Sequence, residues 1–279
     1  MSSSPLVSIL MNCYNSEKFI ETSIKSVLDQ KYMNWELIVW DDASTDNTLN
    51  QIKKFNDKRI KLFSNKIHYG LGKSRISAIK KLNGSLISIL DSDDSFHPNK
   101  ILKQVEIFKM FPEVSICATW VKILNEKNEF LYSIDRKLNK SELKKKLIFV
   151  NLLNHSSIMY RKNAAQKVGW YSNLLEYSQD HDLTLKLIKN DEIFLIKDFL
   201  TYIIERKENM TNRKSLNTII VKENISILKK NIENFLLSNR EKKVIRSIID
   251  INLIKLKIIL KKKNFFQSFF RLIKIIFNN

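Results

Sequence analysis

Three carboxylates within four residues are the feature of this sequence best suited to chemistry. Asp91, Asp93 and Asp94 follow the apolar run Ser85–Leu90 in the stretch ISILDSDDSFHP. Like charges this close together repel, so the cluster is unfavourable unless a cation neutralises it. In an extended loop, residues two apart point the same way, so Asp91 and Asp93 are spaced to face one divalent ion. Mg²⁺ and Mn²⁺ prefer such hard oxygen ligands, and substrate phosphates often complete their coordination.

A structural role for the same cluster stays open. Asp94 or Ser95 could cap the helix that begins near Pro98, with the other carboxylates solvated. The cluster comes directly after a predicted buried strand, and a second acidic strand end lies elsewhere in the chain. These two facts favour the metal interpretation.

Short apolar runs in the first third of the chain are typical of buried strands. Each is followed by a polar segment and then by a helical pattern. This alternation predicts an α/β fold with a mainly parallel sheet flanked by helices. Ligands bind such sheets at the carboxyl ends of the strands. The predicted strands are Val7–Met11, Glu36–Trp40, Ile60–Phe63 and Ser85–Leu90.

Polar side chains collect at these strand ends. A carboxylate after the second strand can accept hydrogen bonds from a base or a ribose. An arginine after the third strand can contact a phosphate or a base, or can lie solvated on a helix. Glycine-rich phosphate loops are excluded, because Ile67 stands where a P-loop needs glycine and no GxGxxG follows a strand. The side chains at these ends, apart from the carboxylate cluster, are Asn12, Tyr14, Asn15, Asp41, Asp42 and Arg75.

The composition is that of a folded protein with a large positive charge. The chain has 279 residues, 44% of them hydrophobic, and a formal net charge of +19. Such a charge predicts an anionic partner: a nucleic acid, a membrane surface or a phosphorylated substrate. Cys13 and Cys117 lie in apolar runs and are expected to be buried thiols, which points to the cytoplasm. We find no signal-peptide pattern and no uncharged run long enough to span a membrane.

The positive charge is concentrated in the last quarter of the chain, where no acidic residue follows Asp250. This asymmetry predicts one domain over residues 1–210 and a helical basic extension over residues 211–279. The extension ends in KKKNFFQSFFRLIKIIFNN, whose aromatic and basic residues are typical of a helix on an anionic membrane surface. A helical bundle that docks on the first domain, with solvated lysines, is the alternative that stays open.

The order of several sequence blocks resembles that of the family 2 glycosyltransferases, which have the GT-A fold. The blocks are VSILMNCYNSEKFIETSIKSVLDQKYMNWELIVWDDASTDNT, GLGKSR, ISILDSDDSFHPNKI, HSSIMYRK and QDHDLTLKL. The resemblance implies inverting transfer of a sugar from a nucleotide-diphosphate donor, usually a UDP-sugar, with Mn²⁺ or Mg²⁺. It also implies a glycan or lipid-linked acceptor in cell-surface polysaccharide synthesis, such as lipopolysaccharide or capsule. A protein of this type is expected in the cytoplasm, peripheral on the inner face of the cell membrane.

The resemblance assigns the nucleoside pocket to the first two strand ends. Asn12, Tyr14 and Asn15 match the loop that lines this pocket. Asp42 matches the aspartate that reads the uracil, with Asp41 as its neighbour.

The resemblance places the remaining donor contacts at the next strand ends. Arg75 matches a basic residue near the base. Asp91 and Asp93 match the metal-binding Asp-x-Asp pair, with Asp94 as the alternative metal ligand to Asp91. One departure is Ala43, which replaces the more usual glycine of the second-strand turn and could change its geometry.

A general base is the remaining requirement, because an acceptor hydroxyl is a poor nucleophile until a carboxylate takes its proton. Asp180 matches the proposed base of the family and opens a predicted helix, where the helix dipole favours its ionised form. His181 and Asp182 are its near competitors. The family usually has Glu-Asp here, and Gln179 removes the helper carboxylate but leaves the base. His155 matches a position near the acceptor.

Two other functions remain possible interpretations of the sequence: nucleic-acid binding and non-catalytic binding of sugar nucleotides. A nucleic-acid-binding protein would explain the basic charge, but the charge lies in an Ile- and Phe-rich tail and the strand ends stay unexplained, so no nucleic acid is expected. A non-catalytic scaffold that binds sugar nucleotides would have the same nucleoside pocket as an enzyme. The presence of Asp91, Asp93 and Asp180 together argues against such a scaffold.

Overall fold

The computed structural model describes residues 4–206 and 217–261, and the predicted membrane-binding end of the tail lies outside them. The chain divides into two compact units, residues 1–207 and 208–279. The first unit contains every described strand, and the described part of the second contains two helices.

The first part of unit 1 is a parallel sheet that confirms the predicted α/β fold. Its strands are β1 (Val7–Cys13), β2 (Trp35–Asp41), β3 (Ile60–Ser64) and β4 (Leu86–Ile89). The pairs β1–β2, β2–β3 and β1–β4 are all parallel, so the four carboxyl ends lie along one edge. The helices between these strands are α1 (Ile20–Leu28), α2 (Thr48–Lys53) and α3 (Leu71–Ala78), with a short 3₁₀ turn at Ile79–Lys81.

The second part of unit 1 extends the same sheet with mixed strand directions. The strand order is β3-β2-β1-β4-β8-β6-β9-β5, and β7 pairs with β6. Because β8 is antiparallel to both β4 and β6, and β9 is parallel to β6, the strands β4 and β9 point the same way. The strands are β5 (Ser95–Phe96), β6 (Val114–Leu124), β7 (Phe130–Ile134), β8 (Met159–Arg161) and β9 (Glu192–Ile204). The helices are α4 (Lys100–Met110), α5 (Lys140–Leu147), α6 (Lys162–Lys167) and α7 (Gln179–Asn190), with a 3₁₀ turn at His155–Ser157.

The core of unit 1 lies between the sheet and its helices. The strands β1 and β2 are buried nearly throughout, as apolar runs covered on both faces must be. Helix α1 buries Ile20, Ile24 and Val27, the residues at helical spacing that face the sheet. Both cysteines are free and buried, as predicted. The core therefore fixes the strand ends on which the polar residues sit.

The described part of unit 2 is a pair of helices, α8 (Asn217–Asn234) and α9 (Asn239–Lys261), which pack against each other. A capping box begins α9, because Ser238 Oγ accepts from the Glu241 amide and Glu241 Oε2 accepts from the Ser238 amide. Within residues 4–206 and 217–261, no helix is long and apolar enough to span a membrane.

Candidate active site

The loops after β1 and β2 are bound to each other. The Asn15 amide donates to Ser44 Oγ at 2.9 Å, and Asn15 Oδ1 accepts from the Thr45 amide at 2.9 Å. Asn15 adopts a φ of 50°, a left-handed conformation that asparagine tolerates better than most residues. The buried Nδ2 of Asn12, at the end of β1, has no hydrogen-bond partner among the described residues. A buried amide without a partner is unusual in a folded protein.

Tyr14 presents an exposed aromatic face at this edge. Its ring lies on the imidazole of His68, with 4.0 Å between ring centres. The sequence analysis did not identify His68, which follows β3 and whose Nδ1 lies 2.9 Å from Asp42 Oδ2. The two rings, tilted by 30° to each other, form an aromatic surface beside the predicted nucleoside pocket.

The carboxylate of Asp42 is saturated by the loop between β3 and α3. It accepts hydrogen bonds from Asn65 Nδ2 at 2.6 Å, from the Tyr69 amide at 3.0 Å and from the Gly70 amide at 2.8 Å. Burial alone would raise the pKa of Asp42, but these donors outweigh burial and lower it. Asp42 is therefore an ionised anchor that shapes the predicted nucleoside pocket. The neighbouring Asp41 is fully buried and accepts from the Ser44 amide at 3.0 Å.

The three carboxylates after β4 occupy different environments. Asp94 is buried, with Oδ2 accepting from Ser156 Oγ and Oδ1 from the Ile204 amide. Burial, followed by the charges of Asp93 and Asp91, raises the pKa of Asp94 well above its usual range. Asp94 does not cap α4, which begins six residues later at Lys100, so the predicted capping role is wrong. Asp94 instead joins the carboxylate loop to the end of β9.

Asp91 and Asp93 lie closer to solvent. The side chain of Asp91 is 44% exposed, and its Oδ1 lies 3.7 Å from His155 Nδ1. The Asp91 amide donates to Ser156 Oγ at 3.0 Å, so one serine hydroxyl bridges Asp91 and Asp94. Asp93 Oδ2 pairs with the guanidinium of Arg206, a residue that the sequence analysis did not identify. Arg206 follows β9, so the strand-end rule that found the other clusters also reaches it.

Arg75 is buried next to the carboxylate loop and does not lie on a solvated helix face. Its Nη1 donates to Gln179 Oε1 at 3.2 Å, and its Nη2 lies 3.4 Å from His155 Nδ1. The other ring nitrogen of His155, Nε2, lies 3.2 Å from Tyr171 Oη. Tyr171 is a second residue that the sequence analysis missed, because no local pattern marks it.

Tyr171 brings the predicted site residues into one electrostatic neighbourhood. Burial raises the pKa of its hydroxyl to about 12, Arg75 opposes this rise, and Asp180 and Asp91 add to it. The three charged groups therefore lie within electrostatic reach of one buried hydroxyl. Contacts link the first turn of the helix that carries Asp180 to the carboxylate loop, because Arg75 contacts both Gln179 and His155, and His155 lies 3.7 Å from Asp91.

The first turn of α7 presents Asp180 as the predicted base. Asp180 is partly exposed, and its Oδ2 accepts from Asn151 Nδ2 at 2.8 Å. Its two competitors are occupied within the fold. Asp182 is buried and lies 2.7 Å from Lys186 Nζ, and the imidazole of His181 is buried with Nε2 at 2.8 Å from the Leu147 carbonyl oxygen. Of these three side chains, Asp180 is the one best placed to receive a proton from a ligand.

Few protein side chains at this site could coordinate a divalent ion. Among the residues that the structure describes, no three His, Cys, Asp or Glu side chains are grouped to hold a metal. Asp91 and Asp93 still fit one, because they supply hard oxygens and because a cation, the Arg206 guanidinium, already pairs with Asp93. An ion held by two carboxylates needs further oxygens, which a diphosphate and water can supply.

Comparison with known proteins identifies the family. The model of the family described as Glycosyl transferase family 2 matches residues 8–175. The glycosyltransferase MJ1057 of Methanocaldococcus jannaschii is 31% identical over 216 residues, which is 75% of this chain and 74% of MJ1057. The UDP-Glc:alpha-D-GlcNAc-diphosphoundecaprenol beta-1,3-glucosyltransferase WfgD of Escherichia coli is 47% identical over 102 residues. That match spans 37% of this chain and 40% of WfgD, less than half of either protein.

Solved structures share the fold. S. aureus TarS 1-349 in complex with UDP-GlcNAc has a TM-score of 0.71 at 20% identity, covering 92% of this chain and 76% of that chain. Mannosyltransferase PcManGT from Pyrobaculum calidifontis, in complex with GDP-Man and Mn²⁺, has a TM-score of 0.67 at 15% identity. The match covers 91% of this chain and 71% of that chain. At these identities the likeness establishes the fold. Together with the family match over most of unit 1, it shows that this chain belongs to the family 2 glycosyltransferases and has the GT-A fold.

Proposed function

We propose that this chain transfers a sugar, with inversion, from a UDP-sugar to a hydroxyl of a glycan or lipid-linked acceptor in cell-surface polysaccharide synthesis, such as lipopolysaccharide or capsule. The observation that carries the proposal is the grouping of Asp180, Arg75 and Asp91: Arg75 contacts Gln179, which precedes Asp180, and also His155, which lies 3.7 Å from Asp91 Oδ1. It combines a base for the acceptor with a carboxylate and a cation for a charged donor. The names of three relatives support the donor and acceptor classes: WfgD, TarS with UDP-GlcNAc or UDP, and the teichuronic acid glycosyltransferase TuaG of Bacillus subtilis.

Asp180 is the general base of this mechanism. It removes the proton from the acceptor hydroxyl while the oxygen attacks the anomeric carbon of the donor sugar, and the bond to the nucleoside diphosphate breaks. Asn151 holds Oδ2 of Asp180, which leaves the other oxygen for the proton. An attack from the side opposite the leaving diphosphate inverts the configuration at the anomeric carbon.

The other site residues bind the donor. In this proposal the Tyr14–His68 surface receives the base, and Asn12 at the end of β1 lies on the ribose side. Arg75 supplies positive charge next to the carboxylate loop. Asp91 and Asp93 would hold Mn²⁺ or Mg²⁺, which when bound neutralises the diphosphate leaving group.

A panel of UDP-sugars tests this function. We expect at least one donor to raise the melting temperature of the protein and to release UDP in the presence of Mn²⁺ and a membrane lipid extract. Asp91→Asn should weaken donor binding, and Asp198→Asn, at a solvent-exposed ion pair, should not. Binding of donors without any UDP release would favour the non-catalytic scaffold instead. The absence of binding to every donor would contradict the proposal.

We further propose that unit 2 attaches the enzyme to the anionic inner face of the cell membrane, where a lipid-linked acceptor is held. The exposed side chains of α9 combine cations with apolar groups, a composition that suits a membrane interface. No helix in the described part of the chain can cross the membrane, so this attachment is peripheral in the proposal. Among the side chains that the structure describes, the exposed cations and apolar residues of α9 are Arg240, Lys243, Val244, Arg246, Ile251, Leu253, Lys255 and Lys257, and they outnumber its exposed acid, Asp250.

Co-sedimentation with vesicles tests this attachment. Each basic residue near an anionic surface is worth about 1 kcal/mol. The double variant Lys255→Glu and Lys257→Glu should therefore bind phosphatidylglycerol vesicles at least ten-fold more weakly than the wild type. Neutral phosphatidylcholine vesicles provide the matched control. Equal binding of the two proteins to anionic vesicles would contradict a role for these two lysines.

A further inference from the structure

The ion pair between Arg206 and Asp93 has no part in the mechanism proposed above. Arg206 lies just after β9, at the sheet edge that also carries the loop after β4. Its Nη2 contacts Asp93 Oδ2. Its guanidinium carbon lies 4.7 Å from the centre of the Phe19 ring, just before α1. The guanidinium is therefore held by a carboxylate and an aromatic face from two different parts of the fold.

This pair occupies one of the two carboxylates proposed for the divalent ion. A guanidinium and a divalent cation repel each other, so they cannot both sit against Oδ2 of Asp93. Arginine keeps its proton in proteins, so a change of pH does not remove this competitor, and only displacement does. Asp91 differs, because the group near its carboxylate is the imidazole of His155 at 3.7 Å.

We propose that Arg206 is a built-in competitor for the divalent ion at Asp93, which keeps the affinity for metal low until a donor is bound. This inference rests on the proposed function. A bound diphosphate offers the guanidinium another anion, with the bidentate geometry that arginine prefers. Once the guanidinium has left, Asp93 is free for the ion. Metal and donor then bind cooperatively, and each raises the affinity for the other by the same factor.

Binding of Mn²⁺ alone to the full-length protein tests the competition without any catalysis. The signal of free Mn²⁺ in electron paramagnetic resonance gives its Kd for each variant. We expect Arg206→Gln to bind Mn²⁺ at least ten-fold more tightly than the wild type, and Arg206→Lys to stay nearer the wild type. The matched control is Lys103→Gln, which removes a cation from the distant Lys103–Asp198 pair and should leave the Kd unchanged. Asp93→Asn, added to Arg206→Gln, should abolish the gain.

A second titration, in the presence of UDP, measures the coupling. UDP should tighten Mn²⁺ binding more in the wild type than in Arg206→Gln, where the competitor is already absent. The melting temperatures of all variants check that they are folded. If Arg206→Gln binds Mn²⁺ no more tightly than the wild type, the inference is overturned, while tight Mn²⁺ binding with UDP would leave the proposed function intact. If no variant binds Mn²⁺ even with UDP, both the inference and the proposed metal site fail.

Discussion

Oε1 of Gln179 accepts a hydrogen bond from Nη1 of Arg75 at 3.2 Å, and the amide nitrogen of the same fully buried side chain donates to the Ser172 carbonyl at 2.8 Å. A glutamate, usual at this position in the family pattern, could accept from Arg75 but could not donate to Ser172, because a carboxylate has no hydrogen to give. Glutamine at residue 179 therefore suits its two partners, Arg75 and the Ser172 carbonyl, better than the usual glutamate would. It also leaves the charge of Arg75 without a carboxylate at residue 179.

The first prediction concerns this amide. Gln179→Leu should lower the free energy of unfolding by about 2–4 kcal/mol, because a buried guanidinium loses its acceptor and a buried carbonyl loses its donor. Urea denaturation measures the change. Gln166→Leu, on the exposed side of α6, is the matched control and should stay close to the wild type. A loss of stability no larger than that of the control would show that the two hydrogen bonds contribute nothing.

The second prediction concerns the turn after β2. Ala43 has a φ of 60°, so the turn keeps the left-handed geometry of the usual glycine, although alanine carries a steric penalty there. Ala43→Gly should stabilise the protein by about 0.5–1 kcal/mol, since relief of this penalty exceeds the extra chain entropy of glycine. The control, Ala164→Gly within α6, should destabilise it by about 1 kcal/mol. Thermal denaturation should thus show melting temperatures that shift in opposite directions from the wild type in the two variants. A lower melting temperature for Ala43→Gly would show that Ala43 is not strained.

The third prediction concerns a lysine in the core. Lys100 is fully buried, and its Nζ donates to Gln104 Oε1 at 2.8 Å and to Ser88 Oγ at 3.2 Å. Burial lowers its pKa from 10.5 to about 7, and Cys117 opposes this only partly. The unfolded chain therefore holds this proton more tightly than the folded protein, which corresponds to roughly 4–5 kcal/mol of lost stability below pH 7. The loss disappears as the pH rises from about 7 towards 10.5.

Lys100→Met removes this dependence on pH. The difference in free energy of unfolding between wild type and variant should shift in favour of the wild type as the pH rises from 6.5 to 9.5. Urea denaturation across this pH range measures both free energies of unfolding. Groups that titrate in both proteins contribute equally to the two values, so their contribution cancels in the difference. Lys103→Met, at a partly exposed ion pair, should give a difference that does not change with pH. The same constant difference for Lys100→Met would mean that Lys100 keeps its ordinary pKa.

The sequence predicts the parts of this site that depend on local pattern. Alternating apolar runs and helical periods place the ends of β1 to β4 on one edge, which is why Asp42 and Asp91 fall where predicted. The environment of each carboxylate depends on distant partners instead. Asp94 is bound by Ser156 and by the amide of Ile204, and no local pattern links either partner to Asp94. The same is true of Tyr171, which contacts the site through a loop of irregular structure.

The direction of β9 in the sheet depends on distant strands and not on a local pattern. A long and mostly apolar segment, residues 193–204, is visible in the sequence and is followed by Glu205 and Arg206. Its direction in the sheet depends on the antiparallel strand β8 between β4 and β6. A three-residue strand leaves little signal in a sequence. The cation that pairs with Asp93 was therefore missed.

The most direct test of the proposed function is the turnover of Asp180→Asn beside its affinity for UDP. The amide keeps the shape of the side chain but cannot take a proton, so we predict a fall in UDP release of at least 100-fold with an unchanged Kd for UDP. Asp198→Asn, at an exposed ion pair, should retain wild-type turnover. Turnover of Asp180→Asn near that of the wild type would contradict the assignment of the base and the mechanism built on it.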